Sequence, residues 1–311
     1  MEDAPLHLDI CMAPQNGLAY WITASDNVKL RVAHWKAPNP SKGTVFFFPG
    51  RGDYIELYGH TIADLVDASM STLVIDWRGH GLSDRIARDQ KIGHLDSFAD
   101  YQKDVAAMIA AAEQLELPKP WFVVAHSMGG CIALRSLIAK QTFDAAVLSA
   151  PMWSIEITAI ERAAAWPVTW FLKTIGKGAI YAPGSTAKSY VFKHAFADNN
   201  LTHSEAMYEH WIAQGTKIPD LHTGGPSMGW LYAALKETRD LSKLPSPNIP
   251  CLTFCGDKEE VVQLPAIETR MKAWTAGQLE MVPNGRHELF LEADPARSQV
   301  IMRTIEFLRS V

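Results

Sequence analysis

W-F-V-V-A-H-S-M-G-G, residues 121–130, is the stretch from which the architecture of this chain follows. Its first four residues, Trp121–Val124, are apolar and predict a short buried strand. Small residues then surround Ser127, and an apolar helical pattern continues from Cys131 to Ala139. The stretch therefore predicts a strand, a sharp turn and a helix, with a hydroxyl group at the apex of the turn.

The turn matches the G-x-S-x-G nucleophile elbow, with Ala125 in place of the first glycine. Small residues are needed because such a turn strains the serine backbone and brings the helix close to the strand. The alternative interpretation is a serine that caps a helix N-terminus. The strand before Ser127 and the helix after it favour the nucleophile.

Strands and helices alternate on both sides of this turn. Apolar patterns predict strands at Leu18–Thr23, Val28–Trp35, Thr44–Phe48, Thr72–Asp76, Ala145–Ser149, Cys251–Cys255 and Leu279–Val282. Helical patterns occur at Ile55–Ala68, Ser97–Leu115 (with a capping box of Ser97 and Asp100), Pro265–Ala276 and Asp294–Ser310. This alternation indicates an α/β fold with a mostly parallel central sheet flanked by helices.

The alternation stops between residues 153 and 247. Helical patterns but no buried strand occur there, at Trp153–Lys173, Ser204–Gln214 and Gly229–Arg239. We therefore expect an α/β core of residues 1–152 and 248–311, interrupted by a helical cap of residues 153–247. Five of the ten tryptophans lie in this insertion, which suits an apolar acyl pocket, a surface that touches lipid, or an aromatic core.

Two loops after predicted strands carry the partners that a serine nucleophile needs. A serine hydroxyl requires a base and an orienting acid, which follow the serine in the order Asp/Glu and then His on this scaffold. His287 follows the predicted strand Leu279–Val282 and is the expected base, with a solvated loop histidine as the alternative. Asp257 and Glu259 follow the predicted strand Cys251–Cys255, and each is either the acid or a surface charge.

The loop Pro49-Gly50-Arg51-Gly52 follows the predicted strand Thr44–Phe48. On this scaffold the oxyanion hole uses the main-chain N–H after the nucleophile and one from this loop. The expected donors are therefore Met128 and Arg51, and the alternative is a plain glycine turn.

The composition excludes several classes of protein. The chain has 311 residues, of which 48% are hydrophobic and 20% charged, as in ordinary soluble globular proteins. Its net charge of −5 argues against nucleic acid as a partner. Glu2 and Asp3 stand where a signal peptide would be positive, and neither the histidines nor the cysteines have metal-ligand spacing. We expect a cytoplasmic protein with reduced cysteines, no metal and no cofactor.

The motifs together resemble the α/β-hydrolase fold, and more narrowly the lysophospholipase and monoacylglycerol lipase branch of the serine-aminopeptidase-like hydrolases. The resemblance rests on Pro49–Arg51, Asp76–Arg85, Ala125–Gly130, Gly256–Val262 and Gly285–Glu288, with weaker similarity at Leu201–Ser204 and Gly224–Pro226. The acid motif of that family, G-x-x-D-x-V-V, implies that Glu259 rather than Asp257 is the acid. Asp76–Arg85 is interpreted as a structural turn.

The sequence thus predicts a serine hydrolase of acyl esters, with lysophospholipids or monoacylglycerols as the favoured substrates. The catalytic residues are Ser127, Glu259 and His287, and contact with lipid and the oligomeric state stay open. Within the insertion, Trp166, Trp170, Phe171 and Leu172 are expected to form a wall for the acyl chain. The alternatives are a small-ester, thioester or peptide hydrolase of the same fold, and a non-catalytic binding protein that kept the fold.

Overall fold

A nine-stranded sheet runs through the computed structural model, which describes residues 1–38, 41–140 and 143–311. Its strands are β1 (Glu2–Asp3), β2 (Leu18–Thr23), β3 (Lys29–Trp35), β4 (Thr44–Phe48), β5 (Ser71–Asp76), β6 (Trp121–His126), β7 (Ala145–Ser149), β8 (Cys251–Gly256) and β9 (Gly277–Val282). The spatial order is β1-β2-β3-β5-β4-β6-β7-β8-β9. The first three strands pair antiparallel, and every pairing from β5 through β4 to β9 is parallel. The prediction of a mostly parallel sheet is confirmed.

Helices cover both faces of the sheet. Those of the core are α1 (Gly59–Asp67), α2 (Ala99–Gln114), α3 (Met128–Lys140), α8 (Leu264–Lys272) and α9 (Ala296–Ser310). Successive β4 side chains point to opposite faces, so that Phe46 and Phe48 join one apolar cluster while Val45 and Phe47 join the other. This double burial explains why the central strands are continuous apolar runs.

The segment between β7 and β8 contains α4 (Ala159–Thr174), α5 (Tyr190–Lys193), α6 (Glu205–Lys217) and α7 (Met228–Leu241). In α4 the helix begins six residues later than its pattern predicts, at a capping box formed by Thr158 and Glu161. Trp153 instead lies buried in the core, stacked on Trp274 with ring centroids 6.4 Å apart. The division into core and cap stays a prediction.

Two further local predictions are wrong. Residues Ile55–Tyr58 form a 3₁₀ turn before α1 rather than its first turn. The capping box at α2 does not form, because Ser97 accepts the N–H of Asp100 through its main-chain carbonyl and the Asp100 carboxylate binds Lys103 at 2.7 Å.

A buried cluster of ion pairs joins β3 to β5 and to the 3₁₀ turn before α1. The Arg31 guanidinium pairs with Glu56 at 2.7 Å and with Asp76 at 2.8 Å, and all three side chains are fully buried. In the turn after β5, Arg85 donates to the carbonyls of Gly81 and Asp220, both at 2.7 Å. Arg85 therefore ties the turn after β5 to the inserted segment.

None of the helices in the described ranges has both the length and the apolarity needed to cross a lipid bilayer. The four cysteines, Cys11, Cys131, Cys251 and Cys255, are buried and unpaired by disulfides, as the sequence predicts.

Candidate active site

Ser127 occupies the turn between β6 and α3 with a φ of +47°, a conformation that non-glycine residues adopt only under constraint. The main-chain N–H groups of Gly130 and Met152 both donate to its carbonyl at 2.9 Å, which holds the turn. A Cβ atom on Gly129 would lie 2.0 Å from the carbonyl oxygen of Phe48. Any side chain at position 129 would therefore collide with β4, which explains the small residue there.

Three of the sequence-predicted residues meet at this turn. The Nε2 atom of His287 lies 2.9 Å from the Oγ atom of Ser127, and its Nδ1 atom lies 2.8 Å from Oε2 of Glu259. The histidine comes from the loop after β9 and the glutamate from the loop after β8. The arrangement is a continuous chain of hydrogen bonds from carboxylate to hydroxyl, which is the geometry of an activated serine nucleophile.

The loop after β8 fixes the carboxylate. Oε1 of Glu259 accepts the main-chain N–H groups of Val261 at 2.6 Å and Val262 at 3.0 Å. Burial opposes its ionisation, but His287 and these two N–H groups outweigh burial and lower the pKa of Glu259. Asp257 is exposed to solvent, and its carboxylate takes no part in this chain of hydrogen bonds.

The two expected oxyanion donors are Arg51, in the loop after β4, and Met128, the first residue of α3. Within the described part of the chain, the main-chain N–H groups of Arg51 and Met128 donate no hydrogen bond. The N–H of Ser127 itself is engaged, since it donates to the carbonyl of Ser149 at 3.0 Å. Two free donors are thus present beside the serine.

A second group of ionisable side chains, Asp53, His126 and Glu288, lies next to the first and was not singled out from the sequence. Nε2 of His126 and Oε1 of Glu288 are 3.1 Å apart, and both side chains are buried. The Asp53 carboxylate accepts the Gly50 N–H at 2.8 Å and the Tyr58 hydroxyl at 2.7 Å. The signal available in the sequence was adjacency: His126 precedes Ser127, and Glu288 follows His287.

These neighbours shift one another's ionisation. Burial and the Glu288 charge raise the pKa of Asp53 to about 7. Burial disfavours the charged form of His126, but the Glu288 carboxylate outweighs it and raises the pKa of His126. Conversely, the pKa of Glu288 is lowered, because His126 more than offsets burial. The contact thus favours the ionic form of the His126–Glu288 pair, while burial favours the protonated form of Asp53.

Ligand atoms of His126, His287 and Glu288 lie within 4.8 Å of one another, so this trio has the residue types for a metal ion. Because His287 already contacts both Ser127 and Glu259, a metal would compete with the hydrogen-bond chain. The absence of a metal stays a prediction.

Ser127 opens into a cavity of about 390 Å³ between the loops of the core and the inserted segment. Its apolar walls include Ile155, Trp211, Trp230, Leu231 and Val262.

The expected acyl wall of Trp166, Trp170, Phe171 and Leu172 is wrong, since none of these residues lines the cavity. In α4, Trp166 packs against Tyr232 of α7, and Trp170 and Phe171 are each 55% exposed. The periodicity of the segment predicts an apolar helix but does not determine which side of that helix faces the site.

The sheet order, the strand–turn–helix at Ser127 and the helical segment after β7 define a protein of the α/β-hydrolase class. Residues 39–294 match the family described as serine aminopeptidase, S33, and the chain belongs to that family. The expectation of a hydrolase is confirmed at this level.

Individual relatives agree with this family. The chain is 26% identical over 292 residues to the probable lysophospholipase L2 of Haemophilus influenzae, covering 93% of this chain and 91% of that protein. It is 28% identical over 297 residues to lysophospholipase L2 of Escherichia coli, covering 92% and 85%. The fold is similar to that of a soluble variant of monoglyceride lipase from Saccharomyces cerevisiae in complex with a substrate analogue, with a TM-score of 0.72, 16% identity and coverage of 92% and 93%. The resemblance to lysophospholipases is confirmed, and the monoglyceride lipase shares the fold.

Proposed function

We propose that this protein is a serine hydrolase that cleaves the carboxylic esters of lysophospholipids or monoacylglycerols. The observation that carries the proposal is the chain of hydrogen bonds from Glu259 through His287 to Ser127, at 2.8 and 2.9 Å. The names of the relatives, lysophospholipases and a monoglyceride lipase, support an acyl ester as the substrate.

In the first half of the reaction, Ser127 Oγ attacks the ester carbonyl and His287 Nε2 takes the hydroxyl proton. The tetrahedral intermediate then collapses, the ester C–O bond breaks, and His287 returns the proton to the leaving alcohol. Glu259 keeps the imidazole in position and stabilises its charged form, while the acyl group stays on Ser127.

In the second half, His287 removes a proton from water, which attacks the acyl carbonyl. The bond between Ser127 Oγ and the acyl carbon then breaks, His287 returns the proton to Ser127 Oγ, and the fatty acid is released. The negative oxygen of both tetrahedral intermediates is held by the main-chain N–H groups of Arg51 and Met128. Their role rests on their free donors and on their position beside the serine. No step in this sequence requires a metal or a cofactor.

The inserted segment, residues 153–247, acts as a cap that supplies the acyl pocket. This role is supported by Trp211, Trp230 and Leu231, which come from the segment and line the cavity with Ser127. Each methylene of an acyl chain buried there contributes about 0.8 kcal/mol. Catalytic efficiency should therefore rise from acetyl to octanoyl esters.

One side of α4 is proposed to contact lipid. Four apolar residues at helical spacing are exposed on it: Ile160 (83%), Val168 (47%), Phe171 (55%) and, at the end of the helix, Ile175 (47%). Spacings of eight, three and four residues place them on one face, which suits the surface of a membrane or micelle. Such a face would bring the cap to the place where amphiphilic substrates collect.

The test is the release of free fatty acid by the purified protein. Acyl esters of one alcohol, varied from acetyl to octanoyl and kept below their aggregation concentrations, are compared with lysophosphatidylcholine and monoacylglycerol. We expect hydrolysis of the lipid esters and the highest efficiency at the longest acyl chain. A maximum at acetyl would leave a small-ester hydrolase, and no turnover of any ester would contradict the proposal.

A further inference from the structure

The cavity that contains Ser127 also contains an arginine side chain. Arg51 lies in the loop after β4, and its guanidinium contacts the segment between β7 and β8. Its Nη1 atom donates to the carbonyl of Gly224 at 3.0 Å, and its Cζ atom lies 5.7 Å from the ring centroid of Trp230. The side chain therefore has a fixed position in the wall of the cavity.

The positive charge of Arg51 has no counter-ion in the described part of the chain. No carboxylate there lies within ion-pair distance, 4.0 Å, of its guanidinium. Among the buried arginines, Arg31 binds Glu56 at 2.7 Å and Arg78 binds Asp104 at 2.6 Å. Arg85 and Arg270 also lack a carboxylate partner among the described residues, but each donates to two or more main-chain carbonyls. Arg51 is half-buried, and an arginine stays charged in a protein. Its charge is therefore partly removed from water without a carboxylate to balance it.

Burial accordingly lowers the pKa of Arg51, and the nearby Asp53 only partly opposes this effect. Asp53 is itself committed, because its carboxylate accepts the Gly50 N–H and the Tyr58 hydroxyl. Glu288 also lines the cavity but pairs with His126. The remaining two carboxylates of the lining, Glu156 and Glu260, are exposed to solvent.

Arg51 also retains unused hydrogen-bond donors. Within the described ranges, its side chain makes one hydrogen bond, to the carbonyl of Gly224. A guanidinium has five N–H donors in a planar fork. This fork matches two oxygens of a phosphate better than any other common side chain does. Arg51 and Ser127 line the same cavity.

We propose that the Arg51 guanidinium binds the phosphodiester group of a lysophospholipid while Ser127 attacks the ester of the same molecule. The inference rests on the proposed function and narrows it, because a monoacylglycerol has no anion to place there. The enzyme should then prefer lysophospholipids to monoacylglycerols of the same acyl chain.

The experiment compares kcat/KM for lysophosphatidylcholine and for monoacylglycerol with a matched acyl chain in wild type, Arg51→Met and Arg51→Lys. A charge-assisted hydrogen bond is strong enough that its loss should lower the ratio of the two efficiencies about 10- to 100-fold in Arg51→Met. The ratio for Arg51→Lys should lie between those of wild type and Arg51→Met, since lysine keeps the charge but has no planar fork of donors. Arg88→Met is the matched control for net charge, because Arg88 is exposed and lies outside the cavity.

A binding measurement is made alongside the kinetics, with glycerophosphocholine as the probe in a calorimeter. Wild type should bind it, and Arg51→Met should bind about tenfold or more weakly. Labelling by a fluorophosphonate shows that each variant retains a folded site. An unchanged ratio of efficiencies, with equal losses on both substrates, overturns the role of Arg51 while leaving the ester hydrolase intact. If wild type hydrolyses neither ester, the proposed function fails, and glycerophosphocholine binding alone then decides whether Arg51 holds a phosphodiester.

Discussion

At the scale of single residues, the site depends on which carboxylate His287 can reach. Glu259 and Asp257 lie two positions apart in one loop, yet only the Glu259 side chain turns inward, where Val261 and Val262 bind its second oxygen. Position in the loop alone leaves both residues open as the acid. The choice between them needs either the spacing of the family motif or the geometry.

Glu259→Gln should lower kcat by up to about ten-thousandfold, because the triad acid holds the histidine in the productive tautomer. Asp257→Asn is the matched control from the same loop and should stay within severalfold of wild type. Initial rates on a soluble octanoyl ester, measured on folded variants, give the comparison. The opposite ranking would move the acid to Asp257.

Asp53 should make stability depend on pH. Its pKa is raised from 3.8 to about 7 in the folded protein, so the folded state binds the proton more tightly than the unfolded state. Its contribution to stability is therefore fully present below about pH 3.8 and is lost as the pH rises through 7. The difference in melting temperature, wild type minus Asp53→Asn, should decrease as the pH is raised from 4 to 8.

Tyr58→Phe provides a second variant for the same measurement. Tyr58 donates to the Asp53 carboxylate at 2.7 Å and so favours its ionised form. Removing this donor should raise the pKa of Asp53 further and move the loss of stability to higher pH. A temperature difference that stays flat from pH 4 to pH 8 in both comparisons would show that Asp53 does not titrate in this range.

At the scale of elements, the turn between β6 and α3 sets how closely α3 approaches β4. Gly129 lies at the contact, where an added Cβ would meet the Phe48 carbonyl oxygen at 2.0 Å. Main-chain atoms of a central strand cannot move aside cheaply. The helix and the strand must therefore separate if the side chain grows by one methyl group.

Gly129→Ala should destabilise the fold by more than about 4 kcal/mol or prevent soluble expression. Gly178→Ala is a suitable control, since the nearest atom to its added Cβ lies 3.6 Å away, an ordinary contact. Chemical denaturation of both variants measures the difference. Equal stabilities would mean that α3 and β4 are not held at this distance.

The exposed side of α4 should govern attachment to lipid. Exchanging Val168 and Phe171 for serine removes two half-exposed apolar side chains and should weaken binding to phosphatidylcholine vesicles roughly tenfold. Met302→Ser on α9 is the control, because Met302 is 58% exposed on a helix of the core. Co-sedimentation with vesicles gives the result. Equal binding by all three proteins would exclude α4 as the lipid surface.

At the scale of the whole molecule, the sequence predicts the fold well because short, continuous apolar runs alternate with helical patterns along the core. It also predicts Ser127 and His287 as neighbours, since the carboxyl ends of parallel strands converge at one edge of the sheet. The packing direction of α4 is not predictable in this way, and the Trp166–Leu172 run was assigned to the wrong surface. The sequence also does not predict the cluster of Asp53, His126 and Glu288, because these residues come from three separate loops or strand ends.

The proposed reaction depends on the assignment of Ser127 as the nucleophile on which the acyl-enzyme forms. Its most direct test is the mass of the protein after reaction with a fluorophosphonate, combined with peptide mapping and residual esterase activity. We predict one adduct per chain, located on Ser127, with activity lost in proportion to labelling and with neither label nor turnover in Ser127→Ala. An adduct on another residue, or a Ser127→Ala protein that hydrolyses the octanoyl ester near the wild-type rate, would contradict the account.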